Sequence, residues 1–166
     1  MDFTRRTAQL LHEDHHETLV MIENLEAMIA AAKRKLPDIN DSTVRSTLEK
    51  AATSIQKEVR DHFAFEENEL FTRLAELGDE DIGNHLRDEH KAILPLGVQV
   101  SDLAKTALVE NFTDESWQQF KEIAAELIER MLSHIQKEEM ALLPLLDEIL
   151  DTETDFKLSE NYGSTH

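Results

Sequence analysis

The feature that most constrains this chain is a repeat. His62-Phe-Ala-Phe-Glu66-Glu67 returns 72 positions later as His134-Ile-Gln-Lys-Glu138-Glu139. Each copy runs on into apolar residues, Leu70-Phe71 after the first and Leu142-Leu143 after the second. A histidine and a glutamate four apart lie one above the other on a helix face. Both side chains offer a lone pair to a cation. Two copies at matching positions of two half-chains predict two helices that present the same pair of groups.

The sequence around the repeats is helical in character, rich in Ala, Leu, Glu and Lys with only four Gly and three Pro to interrupt it. The first helix is expected over about Thr4–Leu36, with Leu11, His15, Ile22, Leu25 and Ile29 on its apolar stripe. Asp41 or Ser42 caps a second, about Thr43–Leu77, whose stripe is Val44, Leu48, Ala52, Ile55, Val59, His62, Glu66 and Leu70. The third begins near Asp79–Asp81 and carries Leu86, His90, Ile93, Gly97 and Ala104 on one face; Pro95 predicts a kink, or a break after Leu94. Thr113 caps the fourth, with Phe120, Ala124, Leu127, Met131, His134, Glu138, Leu142 and Leu145 inward. Four long helices joined by short turns predict an all-α, up-down-up-down four-helix bundle over residues 1–150. Residues 151–166 are polar and aperiodic, and are expected to be a flexible C-terminal tail with Phe156 or Leu158 as its docking residue.

A lone inward histidine, such as His15 or His90, is more often a satisfied core residue than a ligand. An exposed His–Glu pair adds only a few tenths of a kcal/mol to a helix. The set is more telling than its members. Each helix turns one histidine inward and two add a glutamate, so four imidazoles and two carboxylates meet in a core where unpaired charge is very costly. A metal turns that liability into a ligand set: His15, His62, Glu66, His90, His134 and Glu138. Six donors exceed a four-coordinate zinc site, and nitrogen with oxygen but no sulfur suits iron or manganese. Two ions sharing two bridging carboxylates, each capped by two imidazoles, use all six. Ferritin-like bundles instead use Glu-x-x-His twice; here it occurs once, from Glu13 to His16, off the stripe.

The net charge of −18 argues against nucleic acid or an anionic membrane as partner and reads as a solvated surface. Without Cys there are no disulfides, thiolate ligands or thiol nucleophiles. The N-terminus has no apolar signal core, and no run approaches the roughly 18 apolar residues of a membrane span. The expectation is a soluble cytoplasmic protein.

Asp14-His15, His62-x-x-x-Glu66-Glu67, Glu89-His90 and His134-x-x-x-Glu138-Glu139, spanning about residues 8–147, resemble the hemerythrin-like, HHE cation-binding family. The resemblance implies a non-heme, carboxylate-bridged di-iron centre able to meet O2, hydrogen peroxide or nitric oxide. It would serve as an oxidoreductase in oxidative or nitrosative stress or iron homeostasis, or as a sensing or iron-buffering module without turnover. Oxygen-carrying hemerythrins have a His-x-x-x-His pair on helix three, whereas here Leu86 and Leu94 flank His90. His85 falls about 140° off the required face. The chain is therefore closer to the four-His, two-Glu subset, some members of which are proposed to repair iron centres and carry a Cys that this chain lacks. Thr72 stands where the family often has Pro, which the second copy keeps as Pro144. Glu139 competes with Glu138 as the last carboxylate, and the stripe and the symmetry with Glu66 favour Glu138. Glu67 and Glu139 are read as outer or solvent-facing groups, and His12, His16, His85 and His166 as surface or tail residues. Phe63, Phe65, Phe71 and Met131 read first as core and second as the wall of a gas pocket. The sequence does not specify a redox donor or a protein partner.

Overall fold

The computed structural model describes residues 2–55 and 59–165. Helix α1 is Arg6–Ala32. α2 (Ser42–Ser54) and α3 (Arg60–Phe65) lie on either side of residues 56–58, and α3 passes through a π-helical turn, Glu66–Phe71, into α4 (Thr72–Glu76). α5 is Glu80–Glu110. α6 (Asp114–Lys137) passes through a second π-helical turn, Glu138–Leu142, into α7 (Leu143–Ile149), and α8 is Thr152–Thr165. There is no strand among the described residues. The molecule is the expected all-α bundle: α5 packs on α2 and α6, while α1 packs on α2, α6 and α7 and so closes the ring of helices.

The caps read from the sequence are in place. Asp41 accepts from Thr43 N at 2.9 Å and Val44 N at 3.1 Å. Thr113 and Ser116 exchange side-chain and backbone bonds in a capping box at the head of α6. Gly78 ends α4 at a φ of +89°, where a side chain would be strained.

Pro95 does not break α5, which is helical from Glu80 to Glu110. The proline faces solvent, where water can bond the carbonyl that loses its donor, and packing against α2 and α6 holds both sides. Gly97 is part of that packing: a Cβ there would sit 2.8 Å from Ile55 Cγ2. Ser101 Oγ donates to the Ala52 carbonyl at 2.7 Å across the same contact. Against expectation, α5 is long and apolar enough by length and composition to cross a membrane. In the bundle its Ile93, Val100 and Ala104 are core residues.

Residues expected to be a flexible tail form α8 instead. The reason lies at the other end of the chain. A helix leaves its first backbone N–H groups without partners. Asp147 accepts from Thr4 N (2.9 Å) and Arg5 N (2.7 Å), and Asp155 from Arg6 N (2.9 Å) and Thr7 N (2.8 Å). These carboxylates also face the positive end of the α1 dipole. Leu158 and Tyr162 then bury against the bundle, while Phe156 stays exposed. Asp155→Ala is expected to cost about 1–3 kcal/mol of unfolding free energy and to speed proteolysis beyond Leu150. Denaturant titration and limited digestion that both matched the parent would show that the caps do not hold α8.

Two apolar cores fill the bundle. One gathers Ile22, Leu48, Ile93, Trp117, Phe120 and their neighbours; the other gathers Leu11, Leu70, Leu74, Leu86, Leu142 and Leu146. Along each helical rod of the bundle the polar residues singled out by the sequence fall between the two.

Candidate metal centre

The six residues meet in that intervening layer. His15, His62, Glu66, His90, His134 and Glu138 are all buried, with both glutamates fully enclosed. Their donor atoms form two groups, one of Glu66, His90, His134 and Glu138 and the other of His15, His62 and Glu138; within each group they lie within 4.8 Å of one another. Glu138 belongs to both. Its Oε2 is 3.2 Å from His15 Nε2 and 3.8 Å from His62 Nε2, and its Oε1 is against His134 Nε2. Glu66 Oε1 is 3.5 Å from His62 Nε2 and 3.3 Å from His90 Nε2.

Each imidazole is held from behind by a carboxylate of the neighbouring helix. Asp14 on α1 takes His62 Nδ1 at 3.3 Å, and Glu67 takes His90 Nδ1 at 3.2 Å. Glu89 on α5 takes His134 Nδ1 at 2.9 Å, and Glu139 takes His15 Nδ1 at 3.1 Å. The ring closes from helix to helix around the bundle, and each of these acids is the sequence neighbour of one of the six inner residues. Glu67 and Glu139 are thus bound to histidines rather than simply facing solvent. The ring extends outward through His12 on Glu139, Lys137 on Glu89 and Arg87 on Glu67. Tyr162 of α8 adds a contact that the sequence did not signal, its Oη 3.4 Å from His62 Nδ1.

This arrangement fits a cation. A carboxylate can only accept, so each Nδ1 carries the hydrogen and a neutral ring presents its Nε2 lone pair inward. His90 Nε2 and His134 Nε2 then face each other at 3.1 Å. Both oxygens of Glu66 and Oε1 of Glu138 are buried without a hydrogen-bond partner. Lone pairs converging on enclosed carboxylates need a positive charge between them.

Without a metal, protons supply that charge. Burial opposes the charged form of His15, yet the hydrogen bonds to Glu138 and Glu139 outweigh it and raise its pKa to about 9. His62 is likewise held well above 6.5 against burial by Glu66, Asp14 and Glu138, and His134 is raised by Glu138, Glu66 and Glu89. Glu138 is driven well below 4.5 despite burial, in part by His134 and His15.

A cavity of about 290 Å3 opens onto His15, His62, His134 and Glu138, with Phe63, Met131 and Ile135 in its wall. Of the aromatics proposed for a gas pocket, Phe63 lines it. Phe65 packs on Tyr162, and Phe71 lies by His90, both in the core. His12, His16 and His85 are exposed; His166 lies outside the described residues.

Two π-helical turns begin at Glu66 and Glu138, 72 residues apart like the repeat itself. Such turns widen a helix locally and concentrate at functional sites. Here they leave both Leu70 and Phe71 buried behind the first glutamate.

Fold and buried donors together define a cation-binding helical bundle. The family model of the hemerythrin HHE cation binding domain matches residues 6–146, most of the chain, and the chain belongs to that family. Searches of curated proteins and of solved structures return no match.

Proposed function

We propose that the chain is a non-heme di-iron protein that binds or reduces a small oxidant: O2, hydrogen peroxide or nitric oxide. His15 and His62 would hold one ion, His90 and His134 the other, with Glu66 and Glu138 shared. The observation that carries this reading is Glu138, fully buried, common to both donor groups, with one oxygen toward His15 and the other against His134. When bound, the irons would supply redox equivalents and an open coordination position. The chain supplies the rest. The carboxylate ring fixes the tautomer and aim of each imidazole, and Phe63, stacked on His90 at 3.7 Å, keeps water from that side. Iron sensing or buffering without turnover is the second reading. It is favoured by the Tyr162 contact, which links α8 directly to a metal-facing histidine.

The test is metal content, together with the visible spectrum before and after anaerobic ferrous protein meets oxidant. Two irons per chain, with the absorption of a coupled di-iron centre appearing on oxidation and turnover of peroxide or nitric oxide, are expected. Iron bound without turnover would move the reading to sensing or buffering. One zinc, or no metal in a folded bundle, would end the di-iron reading.

A further inference from the structure

The two sides of the buried layer are not equally enclosed. His90 is covered by Phe63, nearly parallel at 7°, and by Phe71. His15 and His62 instead floor the 290 Å3 cavity, together with the fully buried Glu138. The cavity's outer lining includes Asp14, half-buried, and Glu17, exposed, both on α1. Among the described residues no Lys or Arg lines it. We propose that this cavity is the entry route to the His15–His62 side, and that its carboxylate mouth sorts small species by charge. Ferrous ion and neutral molecules such as hydrogen peroxide or nitric oxide enter; anions are held back.

The charge of the molecule as a whole cannot do this sorting. At physiological ionic strength screening falls off over about 8 Å, so most of the net −18 is not felt at the mouth. Carboxylates at the mouth of a cavity act at short range, where the surrounding low-dielectric protein focuses their field. Asp14 also aligns His62, which leaves Glu17 as the mouth charge that can be changed without touching an imidazole partner. The oxidant half of the proposal rests on the di-iron reading; the iron half needs only cation binding.

Three rates test it in Glu17→Lys and in Thr18→Trp, which narrows the opening. They are anaerobic ferrous uptake by metal-free protein, azide binding to the iron-loaded protein, and its reaction with hydrogen peroxide. In Glu17→Lys at low ionic strength, ferrous uptake should slow about tenfold and the ratio of azide to peroxide rates should rise about tenfold, both effects shrinking with added salt. Thr18→Trp should slow all three. Parent rates of iron uptake and azide binding in Glu17→Lys would overturn the charge sorting. Parent rates throughout in an iron-binding Thr18→Trp would overturn the route. If the loaded protein ignores peroxide, the oxidant reading falls, and iron uptake and azide binding still decide the route.

Discussion

Glu138→Ala is expected to yield a folded bundle that retains no iron, a deeper loss than any single histidine substitution should produce. Each histidine serves one donor group, whereas Glu138 serves both, with one oxygen toward His15 and the other against His134. His62→Ala or His134→Ala should therefore leave one ion or none. His85→Ala, whose side chain is 58% exposed and touches Glu89 and Lys137 on the outside of the ring, should load normally. Folding should survive the loss of Glu138. Removing an enclosed carboxylate also removes its desolvation cost, and the histidines it kept protonated can release their protons. Glu139→Ala is the discriminating control, because Glu139 bonds His15 Nδ1 from outside and does not reach the inner layer. It should keep both ions with affinity reduced about 10–100-fold, as for other groups behind a metal-binding histidine. The readout is bound iron per chain after anaerobic loading and gel filtration. Two ions retained by Glu138→Ala, or a normal content in His62→Ala, would sink the assignment.

The inner six residues were legible because each interrupts an otherwise apolar stripe. A polar residue at a helical spacing that predicts burial is a strong local signal, and the repeat supplied it twice. The caps at Asp41 and Thr113 were legible for the same local reason. What sequence hid was everything set by register between helices. That Asp14 faces His62, and Glu89 faces His134, follows from how neighbouring helices align, so these acids read only as neighbours of histidines. The π-helical turns were hidden too, because a single widened turn shifts the stripe by less than the scatter of its apolar positions.

The end of the chain shows the limit most plainly. Residues 152–165 contain few apolar positions and no clean period, so local pattern predicts a tail. Their helix is held by Asp155, whose bonds to Arg6 N and Thr7 N span almost the whole chain. No window along the sequence contains both halves of that interaction. Pro95 errs the other way, a strong local breaker overruled by packing on both sides of α5. Local rules found the elements and the inner donors; contacts distant in sequence set the outer ring and the last helix.

Removing the metal should give a protein whose stability falls as pH rises above neutrality, the reverse of the loaded form. In the metal-free bundle His15 has its pKa raised from 6.5 to about 9. A raised value means that the folded state holds the proton more tightly than the unfolded chain. The resulting stability is fully present below about 6.5 and is lost as the pH passes through about 9. For His15 alone the rise corresponds to on the order of 3 kcal/mol, and His62 and His134 shift in the same direction. Glu138 is depressed, so its contribution is present above 4.5 and lost in acid. Metal-free stability should thus peak between about pH 4.5 and 6.5, where carboxylates and imidazolium ions coexist. A bound cation must displace those protons, so its affinity, and with it the stability of the loaded protein, should climb through the same range in which the metal-free form weakens. Urea unfolding of chelator-treated and iron-loaded protein across this range measures both slopes. A metal-free protein equally stable at about pH 6 and about pH 10 would mean that the buried imidazoles are neutral, and that protons do not take the place of a bound cation.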